Sequence, residues 1–88
     1  MYKIVYTKTF EKDLNRLDVA IAKRIIIKIS GLVSNPHNFQ FIKYSPKGLE
    51  KLCKLRVGDW RVLFWLEHKE KTITLYTVEH RSKIYGNL

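Results

Sequence analysis

The stretch KLCKLRVGDWRVLFW, residues 51–65, constrains this chain more than any other. Gly58-Asp59 separates two alternating runs, and Gly followed by Asp signals a two-residue hairpin, most simply with a type II′ turn. A loop of two residues fixes the register. Val57 faces Trp60, Arg56 faces Arg61, Leu55 faces Val62, Lys54 faces Leu63 and Cys53 faces Phe64. Directly opposed residues share a face of a sheet. One face therefore carries Cys53, Leu55, Val57, Trp60, Val62, Phe64 and Leu66, an apolar surface for helices to cover. The other carries Lys54, Arg56 and Arg61, with Leu52, Leu63 and Trp65 farther along. This register sorts apolar from charged residues with few exceptions.

The flanking sequence supplies the rest of an α+β fold. Tyr2 to Tyr6 is short, aromatic and β-branched, and predicts a strand. Thr7 or Thr9 caps a short helix whose stripe is Phe10, Leu14 and Leu17. Asp18 caps a longer one, with Ile21, Ile25, Ile29, Leu32 and Val33 inward and Lys23, Arg24 and Lys28 outward. Pro36 ends it, because proline cannot continue the hydrogen-bond ladder. Residues 39–48 read as a loop. Three strands follow, at 49–57, 60–67 and 72–78. If Glu67 pairs with Thr72, Ile73 and Leu75 join the core, and Thr74, Tyr76 and Val78 fall on the charged face, Val78 beside Arg61. The order β-α-α-β-β-β predicts a mostly antiparallel sheet with two N-terminal helices on one face.

Eighty-eight residues suit one domain, 1–88, which buries roughly 60% of its unfolded surface. Seventeen Lys and Arg against eight acids give a net charge of +9, which favours a polyanionic partner. Between Asp18 and Glu50 there is no acid at all. Cys53 is the single cysteine and makes neither an internal disulfide nor a metal site, which suits a reducing, cytoplasmic setting. The N-terminal MYKIVYTKTF lacks the apolar run of a signal peptide, and nothing approaches a membrane span.

Arg56 opposite Arg61 is the informative pair. At about 5 Å and an effective dielectric near 20, their repulsion is on the order of 3 kcal/mol before screening. Lys54 on the same face enlarges the positive basin. Three cations on a shallow sheet face suit a phosphate, since guanidinium groups bind its oxygens in pairs. After the last strand, EHRSKIY (79–85) is expected to bring His80, Arg81 and Tyr85 to the rim of the basin.

KLRVGDWRVLF and VEHRSKIY, with this order of elements, resemble the RelE/ParE superfamily of type II toxins, specifically the RelE-type messenger-RNA endonucleases. The resemblance covers essentially the whole chain. It implies cleavage of messenger RNA in the ribosomal A site, with ribosomal RNA as a further contact and no metal or cofactor. The RNA's own 2′-hydroxyl attacks the adjacent phosphorus and leaves a 2′,3′-cyclic phosphate. An acidic, amphipathic RelB-like antitoxin is the implied partner. Arg61 and Arg81 match family arginines that hold phosphate, Lys54 a family lysine at the scissile site, and Tyr85 a family tyrosine that stacks on a base or aids proton transfer. Lys47, Lys51, Arg56 and Lys83 are expected to bind RNA. The best-known members carry a second lysine where this chain has Leu52. The general base is therefore either Lys54, which neighbouring cations make less basic, or His80.

Other residues have structural readings. Trp60 reads as core, Cys53 as a small core filler, and His37 and His68 as loop residues. Trp65 either packs or stacks on a partner. Two competing functions are a ParE-like inhibitor of DNA gyrase and a basic RNA- or ribosome-binding module without catalysis.

Overall fold

The computed structural model describes residues 2–35, 40–41, 52–80 and 82. Chain order is β1 (Lys3–Tyr6), α1 (Lys8–Asn15), α2 (Val19–Ser34), β2 (Gln40–Phe41), β3 (Cys53–Val57), β4 (Trp60–Glu67) and β5 (Thr72–His80). The sheet runs β1-β5-β4-β3-β2, with β1 parallel to β5 and the other pairings antiparallel. Two differences from the sequence reading are additions: a two-residue strand in the stretch read as loop, and two more residues at the end of β5.

The hairpin has the expected register, from Cys53 opposite Phe64 to Val57 opposite Trp60. Gly58 has a φ of 62°, and Lys71 is the one positive-φ non-glycine among the described residues. Asp59 is thus outside the left-handed region, as a type II′ turn requires. Cys53, Leu55, Val57, Val62 and Phe64 enter one core with Phe10 of α1 and Ile25, Ile29 and Leu32 of α2. Those three α2 residues are spaced i, i+4, i+7, so they form one stripe pressed on the sheet.

Capping fixes where the helices begin. The Thr7 hydroxyl accepts from the Phe10 N–H at 3.2 Å and donates to the Leu75 carbonyl at 2.7 Å. Thr7 thus starts α1 and ties it to β5. Asp18 accepts from the Ala20 N–H at 3.3 Å and starts α2.

β5 contains an irregularity that the alternation argument did not anticipate. Phe64 pairs with Leu75 but Leu63 pairs with Thr77, so Tyr76 is an extra residue. The bulge reverses the alternation beyond it. Val78 enters the core, correcting its placement on the charged face, and Glu79 takes the position opposite Arg61. The physical reason is burial: a regular strand would drive polar Thr77 inward and Val78 out. β1 stops opposite Leu75, leaving the last part of that β5 edge without a strand. Asp13 of α1 covers it, accepting from the Val78 N–H at 3.0 Å and from the Thr77 hydroxyl.

Candidate phosphate-binding face

Lys54, Arg56 and Arg61 come from the two strands of one hairpin, and their register puts all three on the sheet face away from the helices. Their exposures differ. Arg56 is exposed and Lys54 half-buried, whereas Arg61 is only 7% exposed. The expectation of an open trio is corrected at Arg61. Position in the sheet explains the difference. β4 has strands on both sides at Arg61, so neighbouring side chains cover it. Arg56 is exposed, and among the described residues β2 pairs with Cys53 and Lys54 and no further along β3.

Electrostatics follow from the same row. Arg56, Arg61 and Glu79 stand opposite one another across β3, β4 and β5. The sequence reading placed no acid near Arg61, because it followed β5 without the bulge. By register Glu79 is an acid in this row, and its charge opposes the Arg56 repulsion in sign. Arg56 also turns toward the hairpin tip, its Nε donating to the Gly58 carbonyl at 3.2 Å. The row keeps one net positive charge, with Lys54 one row further along. A net charge of +2 on a strand face attracts a phosphodiester, though less strongly than three uncompensated cations would.

His80 does not join this face. It pairs with Trp60, and their rings meet edge-on at 5.0 Å. Opposed residues share a face, so His80 lies on the helix side of the sheet, across it from Arg61. Its Nδ1 lies 2.9 Å from the Ser82 Oγ and 3.4 Å from the Ser82 backbone nitrogen. His80 lines a separate cleft of about 270 Å³ with Asp13, Arg16, Trp60 and Glu79. The expectation that His80 sits at the rim of the cationic basin is thus corrected. Lys47, Lys51, Arg81, Lys83 and Tyr85, together with His37, lie outside the described residues.

Three other residues have places of their own. Trp65 and Tyr76 meet on the cationic face with ring centroids 5.1 Å apart, a pairing made by the bulge. Its signal in the sequence is the gap of three between Leu75 and Val78 where two is the rule. Trp60 packs partly buried against the core, as read from the sequence. Cys53 is buried, and burial pushes its thiol up to about 11. It fills space rather than reacting.

A fold of this order, bearing a cationic sheet face, belongs to a known class. The family model described as "ParE toxin of type II toxin-antitoxin system, parDE" matches residues 4–85. The chain belongs to the RelE/ParE superfamily of type II toxin–antitoxin toxins. Among individual relatives, Toxin RelE3 of Methanocaldococcus jannaschii is 33% identical over 86 residues, covering 94% of each chain. Toxin RelE of Mycobacterium tuberculosis is 31% identical, over 96% of this chain and 86% of the relative. The RelE–RelB complex of Pyrococcus horikoshii holds a chain 27% identical, with a TM-score of 0.73 over 93% of this chain and 97% of that one. The toxin–antitoxin complex RelBE2 of Mycobacterium tuberculosis has a chain with the same fold, with a TM-score of 0.78 over 91% of this chain and 98% of that one, at 22% identity.

Proposed function

We propose that this toxin is a ribosome-dependent messenger-RNA endonuclease, held inactive by a RelB-like antitoxin. The carrying observation is the shared face of Lys54, Arg56 and Arg61, set by the hairpin register. Relatives named Toxin RelE support the RelE type of toxin, and solved RelE–RelB complexes of similar chains support the partner.

The chemistry needs little from the protein beyond placement and charge. A 2′-hydroxyl attacking its own phosphodiester is already bound to the substrate, so no external nucleophile and no metal-bound water is required. The five-coordinate phosphorus gains negative charge as it forms. Arg61 is the guanidinium of this face that would hold it, once the side chains that cover it part. Lys54 adds a second cation and is the base candidate that shares a face with Arg61. His80, across the sheet, is not in position to take that proton unless the RNA reaches both faces. Arg81 and Tyr85 complete the proposal on the strength of the resemblance.

Primer extension on messenger from translating ribosomes tests this reading. Wild-type protein should produce defined cuts, and Lys54→Ala should reduce them at least tenfold without loss of folding. Arg61→Lys separates geometry from charge: it keeps the cation and loses paired donation, so cleavage should fall while ribosome binding persists. Intact messenger at saturating protein rejects the nuclease reading.

A second reading is favoured by two observations. The matching family description names ParE, and Glu79 opposite Arg61 weakens the case for a phosphate site. An inhibitor of DNA gyrase would act by binding protein and would need no such site. Growth arrest with broken DNA and uncut messenger selects that reading.

A further inference from the structure

Trp65 and Tyr76 are left over when the cations have been assigned. They are the aromatic pair of the sheet face away from the helices, and no part of the proposed phosphate chemistry uses them. From their placement we infer that they form a stacking platform for a base of single-stranded RNA. This inference rests on the nuclease reading for its choice of RNA, but its geometry stands independently.

Four observations carry it. The rings are tilted by 47° with centroids 5.1 Å apart, so they brace each other without covering each other's faces. Both residues are half-buried. Next to them in the cross-strand row are Thr74 and Val5, both uncharged. Lys54 is opposite Leu63, two residues before Trp65, which makes Trp65 its diagonal neighbour at about 7–8 Å. That is the scale of a single nucleotide, so a backbone phosphate on Lys54 puts the adjacent base over the indole. Aromatic residues on a sheet with cations beside them are a general solution for holding unpaired bases.

The cations attract any polyanion, and the aromatic pair favours one that carries flat bases. The nearest acid along β4 is Glu67, whose Oε1 already accepts from the Lys69 N–H at 3.2 Å. The bulge supports the inference as well. In a regular β5, Tyr76 would sit opposite Leu63, one row nearer to Arg61; the extra residue sets it beside Trp65 instead. The platform is therefore displaced from the phosphate row by four residues of β4, about 13 Å at strand rise.

The test uses binding without cleavage. The chain has two tryptophans, so in Trp60→Phe protein all indole emission comes from Trp65. A short 2′-O-methyl oligoadenylate, which has no free 2′-hydroxyl and cannot be cut, is the probe. Saturable quenching of Trp65, with affinity about tenfold lower in Tyr76→Ala and near wild type in Tyr76→Phe, is the expected result. An abasic oligonucleotide of equal length should bind more weakly and quench little. Equal binding by the abasic strand overturns the platform, because charge alone then explains it. So does Tyr76→Ala that leaves oligonucleotide affinity unchanged while weakening an antitoxin peptide, since the pair is then a protein contact. Quenching with uncut messenger upholds the platform and rejects the nuclease; cuts without quenching do the reverse.

Discussion

At the scale of single residues, two backbone positions carry opposite expectations. Gly58 has a φ of 62° in the two-residue turn that sets the whole register. A Cβ there meets the Arg24 guanidinium at 3.4 Å, an ordinary contact, so the strain in Gly58→Ala is conformational rather than a clash. It should lower stability by at least about 1 kcal/mol, seen as a lower urea midpoint at unchanged m. Lys71, with φ of 50°, already carries that strain. Lys71→Gly should raise the midpoint, by about 0.5 kcal/mol after the flexibility of the unfolded glycine is subtracted. Cys53 gives a pH dependence. Its folded thiol is raised to about 11 from 9.0 by burial, opposed by a smaller effect of the Leu66 backbone hydrogen bond. Between those values the unfolded chain releases a proton that the folded chain keeps, so stability falls as pH rises. The contribution is intact below pH 9. Chemical denaturation from pH 8 to pH 10 should show a decline that Cys53→Ala partly removes.

Among elements, the junction of α1 with β5 is the place where one side chain does several jobs. The Thr7 hydroxyl accepts from Phe10 and donates to the carbonyls of Leu75 and Tyr76, at the start of the bulge. Thr7→Ala removes a cap and the hydroxyl's bonds to both carbonyls, leaving Leu75 the longer bond from the Thr7 N–H at 3.4 Å, so a loss of about 2 kcal/mol is expected. Thr7→Ser should recover most of it; if it is as unstable as the alanine variant, the hydroxyl is not responsible. How much of this was legible in sequence varies from element to element. The β3–β4 register was readable because turn length and alternation independently demand it. Asp18 and the Ile25, Ile29, Leu32 stripe were readable from local signals. The bulge was not read, since it depends on which of Thr77 and Val78 the core admits. That one residue moved Val78 inward and set Glu79 beside Arg61. β2 was invisible because two residues carry no periodicity. For the site, the shared face was legible, but the burial of Arg61 was not. It depends on strand order, which puts β4 in the middle. His80 was misplaced by the same bulge.

On the scale of the whole molecule, charge and its placement decide how the protein meets an anion. The net charge is +9, and the α2 cations divide. The Arg24 guanidinium reaches the hairpin tip at Gly58, where Arg56 also turns, and Lys28 lines the same cleft, whereas Lys23 lines a groove between α2 and α1. Charges separated by more than the screening length of about 8 Å at physiological salt act independently, so Lys23 is the α2 cation expected to take no part in binding at the hairpin. For an uncleavable single strand on the sheet face, contacts from Lys54 and the exposed Arg56 give a log–log salt slope of about −1.4, with Arg61 covered and opposite Glu79. Arg56→Gln should shallow that slope by about 0.7, the share of one phosphate. Glu79→Gln should tighten binding at low salt by relieving the Arg61 guanidinium, at some loss of folding stability. Lys23→Gln, on α2, should leave the slope unchanged. A slope that drops equally for Arg56→Gln and Lys23→Gln would mean that the strand wraps the molecule rather than lying on the hairpin. The cationic face would then be one part of a diffuse field and not a site.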